Sequence, residues 1–91
     1  MTLPLIWRPE ARQDLHEITG YIADRNPAAA DRIGTAIENT AERLPDHPRI
    51  HRPGRVPGTR EAIVHPNYIL VYRVGETIDI LAVLHARQQY P

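Results

Sequence analysis

Three strand-like runs decide the fold: Thr59-Arg60-Glu61-Ala62-Ile63-Val64-His65, Tyr68-Ile69-Leu70-Val71-Tyr72-Arg73-Val74 and Thr77-Ile78-Asp79-Ile80-Leu81-Ala82-Val83-Leu84-His85. They are rich in the β-branched and aromatic residues that favour strands. Pro66-Asn67 separates the first run from the second, and Gly75-Glu76 separates the second from the third. Short connections of such residues are typical of hairpins. The segment therefore predicts a three-stranded antiparallel meander.

The third run is apolar on both faces in its middle, which is typical of an inner strand of a covered sheet. Alternation places four apolar residues on one face, namely Ile78, Ile80, Ala82 and Leu84. The other face carries Leu81 and Val83. We expect the four-residue face to pack against the rest of the chain.

The first 44 residues predict the cover for this sheet. Leu3–Trp7 is a short apolar run, and Pro4 confines such a strand to its own start or to a sheet edge. Two apolar series at helical spacing follow: Ala11, Leu15, Ile18 and Ile22, then Ala30, Ile33, Ile37, Ala41 and Leu44. Asn26-Pro27 divides them, because asparagine is a favoured N-cap and proline suits the first helical position. The pattern predicts an antiparallel helical hairpin.

The predicted order is β-α-α-β-β-β in one domain spanning residues 1–91. This is an α+β fold with the helical hairpin packed on an antiparallel sheet. The core between the layers is expected to contain Leu15, Ile18, Ile33, Ile37, Ile80 and Leu84. Gly20 costs the first helix about 1 kcal/mol relative to alanine, and close packing against a neighbour would explain it.

Composition restricts the classes of site. The chain has eleven acidic and eleven basic residues, every basic one is arginine, and there is no cysteine, which excludes disulfides and thiolate metal sites. No apolar run reaches membrane-spanning length and no signal-peptide layout is present, so we expect a cytoplasmic protein without a membrane partner. Residues 47–60 hold four arginines and no acid, which indicates either a solvated loop or a surface for an acidic partner or nucleic acid.

Histidines are the candidates for metal binding and for proton transfer. His47 and His51 are four residues apart, but they lie among prolines without a third ligand, so we expect no metal and no cofactor. His85 ends the last strand, and RNA cleavage without a metal needs a base, a cation for the phosphate and an acid. His85 suits the first or last role, and Arg60 and Arg87 suit the second. The alternative is that these residues are ordinary polar strand ends.

Four segments carry a family likeness: Ala11-x-x-Asp14-Leu15-x-x-Ile18-x-x-Tyr21-Ile22, Gly58-Thr59-Arg60-Glu61, His65-Pro66-Asn67-Tyr68-Ile69-Leu70-Val71-Tyr72-Arg73 and Val83-Leu84-His85-Ala86-Arg87-Gln88-Gln89-Tyr90-Pro91. In this order they resemble the RelE/ParE superfamily of toxins from bacterial type II toxin–antitoxin systems, most closely the ParE branch. The resemblance covers nearly the whole chain. It implies a toxin held inactive by a cognate antitoxin in a hetero-oligomer.

The two branches imply different activities. ParE-like members poison DNA gyrase and are not nucleases, whereas RelE-like members cut mRNA in the ribosomal A site. RelE-like enzymes carry an arginine after the middle-strand tyrosine, where this chain has Ile69; Arg60 takes the place of a catalytic lysine. The resemblance therefore favours a non-enzymatic gyrase inhibitor over the alternative, a ribosome-dependent mRNA endoribonuclease. A domain that only binds a partner protein is the third interpretation.

The resemblance also implies site residues. A gyrase inhibitor needs no catalytic residue, and its target contacts are expected from Arg60, Arg73, His85, Arg87 and Tyr90. In an endoribonuclease, catalysis would be expected from Arg60, His85, Arg87 and Tyr90. The antitoxin is expected in the groove along the helical hairpin, and an acidic segment of it would be attracted by Arg49, Arg52 and Arg55.

Overall fold

The computed structural model describes residues 2–91 and confirms the α+β class and the order of the main elements. The elements are β1 (Leu5–Trp7), α1 (Pro9–Ala23), α2 (Pro27–Arg43), β2 (Arg52–Pro53), β3 (Arg60–His65), β4 (Tyr68–Val74) and β5 (Ile78–His85). The strands form one sheet in the order β1-β5-β4-β3-β2. The two-residue strand β2, which pairs with the start of β3, was not predicted.

The sheet is mixed, whereas the sequence predicted an antiparallel one. β3, β4 and β5 form the predicted meander. β1 lies parallel to β5, with Leu5 opposite Ile78 and Trp7 opposite Ile80. The reason is the loop after α2: its strand β2 is antiparallel to β3, so the loop runs back along the sheet before β3 begins. β3, and with it β5, then points in the direction of β1.

Local chemistry forms the helical hairpin as predicted. Asn26 caps α2, because its side-chain oxygen accepts a hydrogen bond from the Ala29 amide at 3.1 Å. Pro27 and Pro9 occupy the first turns of α2 and α1. The two helices pack against each other, and on the sheet α1 packs against β5 and α2 against β3. Within residues 2–91, neither helix is long and apolar enough to cross a membrane.

A β-bulge exchanges the two faces of β5. Two consecutive residues of β4 lie opposite Ala82 and Ile80, so the intervening Leu81 has no partner across the pair. One extra residue in a strand moves every following side chain to the opposite face. Leu84 therefore points away from the helices, and its predicted place in the core between helices and sheet is wrong.

The core between helices and sheet otherwise follows the prediction. Leu15, Ile37 and Ile80 are buried in it, and Ile18 and Ile33 pack against its margin. The opposite face of the sheet, which we call the tail face, has its own apolar cluster. It consists of Ile69, Val71, Ala82 and Leu84, against which Leu81, Ala86 and Tyr90 pack. The end of the chain thus helps to cover the face that the helices do not reach.

Candidate functional site

A groove of about 540 Å³ opens between α1 and α2. Its lining includes Leu15 and the small residues Gly20 and Ala30. The helices approach closely at Gly34, where a Cβ would lie 3.2 Å from Cγ2 of Thr19. A Cβ on Gly20 would meet nothing within 4 Å, so the expected close packing at Gly20 is wrong. Gly20 instead deepens the groove.

The rims of the groove are more acidic than basic. Asp31 and Glu38 of α2 line one side, and His16 of α1 lines the other. Arg12 of α1 lies 4.0 Å from Glu38, an exposed pair of the kind that contributes little to stability. A segment bound in this groove would meet apolar and small residues below and carboxylates on one rim. The groove itself therefore suits a neutral or basic segment.

Two of the three arginines predicted to attract an antitoxin are paired within the chain. Glu61 is buried on the tail face, opposite Val71, and accepts a hydrogen bond from Nη2 of Arg52 at 3.1 Å. The second carboxylate oxygen of Glu61, Oε2, accepts a hydrogen bond from the backbone amide of Arg55 at 2.9 Å, and Arg55 Nε lies 3.5 Å from the same oxygen. Arg49 is exposed and has no carboxylate within ion-pair distance in residues 2–91. The attraction of an antitoxin by these residues stays a prediction.

Arg60 anchors the proline-rich loop. Its Nη1 donates to the carbonyl oxygens of His51 at 2.8 Å and of Arg49 at 3.2 Å. The His51 ring stands edge-on to the buried Tyr72 ring, with centroids 6.0 Å apart. Burial lowers the pKa of His51, as does the charge of Arg60, whereas burial raises the pKa of Tyr72. Both effects favour the neutral form of the His51 ring beside Arg60. No group of three His, Asp or Glu side chains in the described chain could hold a metal ion.

Arg73 lies near the same end of the sheet as Arg60 but on the other face. Side chains alternate along β4, so Arg73 points to the tail face, whereas Arg60 lies opposite the core residue Tyr72. Arg73 Nη2 lies 3.4 Å from Asp79 Oδ2 on β5. A hydrogen bond from the Thr77 hydroxyl, at 2.7 Å, contributes most to the lowered pKa of Asp79, and Arg73 lowers it further. The sheet thus separates the two guanidinium groups.

His85 lies at the opposite end of the meander in a cluster of rings. Its ring centroid is 5.5 Å from that of Tyr68, and the His65 centroid is 5.9 Å from the same tyrosine. His85 Nδ1 accepts a hydrogen bond from the Arg87 backbone amide at 3.1 Å, so proton transfer to a substrate would have to use Nε2. Tyr68 and Tyr72, the residue opposite Arg60, are four positions apart on β4, which corresponds to about 13 Å of strand. His85 and Arg60 therefore do not converge on one scissile bond of an RNA substrate.

The predicted target-binding residues are dispersed over the sheet. Arg87 is exposed immediately after the His85 cluster, and Tyr90 is half-buried against the tail-face cluster. The structure brings His85 and Arg87 together. Arg60, Arg73 and Tyr90 occupy three other places, so the five residues do not form one constellation.

Asp14 is a partly buried polar residue that was not among the predicted site residues. Its Oδ2 accepts a hydrogen bond from the Val83 amide at 3.0 Å, on the edge of β5 beyond the end of β1. Burial raises the pKa of Asp14 despite this hydrogen bond, and nearby Glu17 and Glu10 raise it further. The sequence signal for this role was an acidic residue next to Leu15, within the apolar stripe of α1.

Comparisons with known proteins converge on one superfamily. The family model described as ParE toxin of type II toxin–antitoxin system, parDE, matches residues 5–90. Putative toxin Y4kP of Sinorhizobium fredii is 38% identical over 86 residues, which cover 93% of this chain and 90% of that protein. Toxin RelE2 of Caulobacter vibrioides is 30% identical over 83 residues, which cover 90% of this chain and 93% of that protein.

Two solved structures have the same fold. A chain of the chromosomal ParDE TA system from P. aeruginosa aligns with a TM-score of 0.84 and 25% identity over 92% of this chain and 96% of its own. A chain of the toxin–antitoxin complex RelBE2 from Mycobacterium tuberculosis aligns with a TM-score of 0.67 and 29% identity over 93% of this chain and 99% of its own.

Proposed function

The chain belongs to the ParE toxin family of type II toxin–antitoxin systems, and from this premise we propose that it acts in the cytoplasm by inhibiting DNA gyrase until a cognate antitoxin neutralises it. Toxin relatives and two solved toxin–antitoxin systems place it in the RelE/ParE superfamily and support an antitoxin as its partner. Gyrase as the target is the proposal.

The separation of His85 from Arg60 carries this choice. Metal-free RNA cleavage needs a proton-transfer group and a phosphate-binding cation at one scissile bond. His85 and Arg60 occupy opposite ends of the meander, and Arg60 already donates to two loop carbonyls. A protein that acts by binding another protein requires no such convergence. The geometry therefore supports inhibition by binding.

The endoribonuclease remains the second candidate because one observation favours it. His85 and Arg87 are neighbours, and the ring of His65 lies against the same tyrosine as that of His85. A histidine with an adjacent arginine is the smallest set that could transfer a proton and hold a phosphate. The similar proteins include Toxin RelE2 and a chain of the RelBE2 complex, which supports considering the RelE branch.

We place the antitoxin in the groove between α1 and α2. Residues of both helices line the groove, and the small residues among them allow close approach of a bound segment. Its acidic rim favours a neutral or basic segment there. An acidic part of the antitoxin would then lie near the exposed Arg49, outside the groove.

A pair of histidine variants tests the target. The toxin, His85→Gln and the matched control His65→Gln are induced in cells without antitoxin, and purified proteins are assayed for inhibition of gyrase supercoiling. We expect all three to cause filamentation with a DNA-damage response and to inhibit supercoiling similarly. Glutamine can hydrogen-bond but cannot replace histidine in proton transfer at neutral pH.

The nuclease predicts a different set of results. Wild type would cut ribosome-bound mRNA, and His85→Gln would lose about 10²–10⁴-fold in rate while still folding and binding antitoxin. That combination would overturn the gyrase proposal. Absence of any growth defect on induction would instead leave a domain that only binds a partner. Arg87→Ala should weaken toxicity under either mechanism.

A further inference from the structure

Glu61 is a buried carboxylate with an unusually complete set of partners. Its side chain is 2% exposed, and two arginines and one backbone amide supply its hydrogen bonds and ion pairs. Burying a carboxylate is costly unless charge and hydrogen bonds compensate. The residue lies on the tail face, away from the groove between the helices.

Arg55 extends this cluster to the end of the chain. Its backbone amide and Nε contact Glu61, and its Nη1 donates to the carbonyl oxygen of Gln88 at 3.0 Å, across 33 residues of sequence. Arg52 binds the same carboxylate but makes no hydrogen bond to the C-terminal residues in the described chain. Only one of the two arginines therefore connects β3 to the C-terminal segment.

The C-terminal segment, residues 86–90, is held at further points. The Ala86 amide donates to Asn67 at 2.7 Å, and the Gln88 amide donates to His85 at 2.9 Å. The Gln88 side-chain oxygen accepts from the His85 amide at 3.3 Å. These bonds fix the turn that follows β5, while the side chain of Tyr90 packs on the tail-face cluster. The hydrogen bond from Arg55 to the Gln88 carbonyl also holds the backbone of this segment over the tail face.

We infer that Glu61 and Arg55 are positioning residues: the carboxylate orients the Arg55 guanidinium, which fastens the C-terminal segment and so sets the place of Tyr90 for target contact. The target part of this inference rests on the proposed function, since Tyr90 belongs to the expected target surface. The fastening itself is a property of the toxin alone.

The test compares three substitutions that remove different members of the cluster. Arg55→Ala removes the connection to Gln88, Glu61→Gln removes the charge that orients Arg55, and Arg52→Ala is the matched control. Each toxin is co-expressed and purified with its antitoxin, and backbone order is measured by ¹⁵N relaxation in the complex and in the separated toxin. We expect order parameters of residues 89 and 90, which follow the turn fixed by Gln88, to fall below about 0.6, the flexible range, for Arg55→Ala and Glu61→Gln only.

Two results would overturn the fastening. One is an ordered C-terminal segment in Arg55→Ala. The other is equal mobilisation by Arg52→Ala, which would indicate a general loosening of the loop. Neither readout involves gyrase, so the fastening can stand or fall independently of the proposed target.

A double-mutant cycle between Arg55 and Tyr90 tests the target role. Supercoiling inhibition and growth inhibition are measured for Arg55→Ala, Tyr90→Ala and the double variant. If Arg55 acts by placing Tyr90, Arg55→Ala should reduce potency about tenfold in the wild type and much less in the Tyr90→Ala background. Additive losses, or full potency with a mobile segment, would refute the positioning role. If wild type leaves gyrase active but stops growth, the proposed target fails and the growth assay still completes the cycle.

Discussion

Gly20 allows stability and antitoxin binding to be changed in opposite directions. It lies within α1, lines the groove, and has free space around the position of a Cβ. A helix-interior glycine costs about 1 kcal/mol relative to alanine. Gly20→Ala should therefore stabilise the toxin by up to about 1 kcal/mol, which raises the melting temperature of a domain of this size by about 4–8 °C.

Gly20→Leu should fill the same free space and so hinder binding of the antitoxin. Leucine has nearly the helix propensity of alanine, so this variant should also melt at or above the wild-type temperature. Its side chain would project into the groove beside Ala23, where an antitoxin segment is proposed to lie. Forcing a bound segment to accommodate such a group typically costs about 1–3 kcal/mol, which is about 5- to 150-fold in Kd.

The assay combines thermal unfolding of the purified toxin with calorimetric titration by its antitoxin. Glu17→Leu is the matched control, because it adds a leucine to an exposed position of α1 that does not line the groove. Wild-type affinity of a correctly folded Gly20→Leu toxin would refute the placement of the antitoxin. A lower melting temperature for Gly20→Ala would refute the free space assigned to this position.

Three further predictions concern single residues. Burial raises the folded-state pKa of Asp14, so the stability that its protonated form contributes is lost as pH rises through that pKa. Asp14→Asn keeps a hydrogen-bond acceptor for the Val83 amide and carries no charge. It should therefore be more stable than wild type near pH 7 in urea unfolding. That advantage should shrink as pH falls from the raised folded-state pKa to the unfolded value of about 3.9, and an advantage independent of pH would contradict it. Leu84→Ala should cost about 2–5 kcal/mol in the same measurement although the helices do not cover this leucine; a wild-type midpoint would show that the tail-face cluster adds no stability. Arg49→Ser should slow antitoxin association at low salt without changing the melting temperature, because an exposed charge chiefly affects the on-rate, and an unchanged rate would exclude steering by Arg49.

The helical hairpin was predictable because its determinants are local. Asn26 and Pro27 are neighbours in sequence, and cap geometry requires nothing beyond the next turn of helix. The meander was predictable for a related reason, since its turns join adjacent runs. The parallel placement of β1 depends on the path of the loop after α2, and no periodicity in the sequence encodes that path.

The bulge at Leu81 could not be predicted because the surrounding sequence is apolar at every position. Residues 80–84 read Ile-Leu-Ala-Val-Leu, so either alternation places an apolar side chain on both faces. Register is strongly specified only where a one-residue shift would bury a polar group. In this segment no such penalty distinguishes the two registers. The assignment of Leu84 to the helix side therefore followed from a pattern that carried no information about the shift.

The candidate site was less predictable than the fold because its contacts join distant segments. Arg60, His85 and Tyr90 were grouped from the predicted order of strands and from the family resemblance, without knowing which face or end each would occupy. Pairing then placed Arg60 opposite Tyr72 and His85 opposite Tyr68. Arg60 on β3 and His85 on β5 are thus paired with opposite ends of β4, about 13 Å apart along the strand, which separates them whatever their chemical types.

The arginines of the proline-rich loop illustrate how charge patterns differ from charged surfaces. A loop that forms only a two-residue strand leaves many of its carbonyl groups without backbone partners, and proline provides no amide for a ladder. Arg60 supplies donors to two of these carbonyls, and Arg52 and Arg55 hold the loop to Glu61. Arginine suits this work because its several N–H donors stay charged and have a fixed geometry. Three of the four basic residues in 47–60 thus order the loop, which leaves Arg49 as the charge most free to meet a partner.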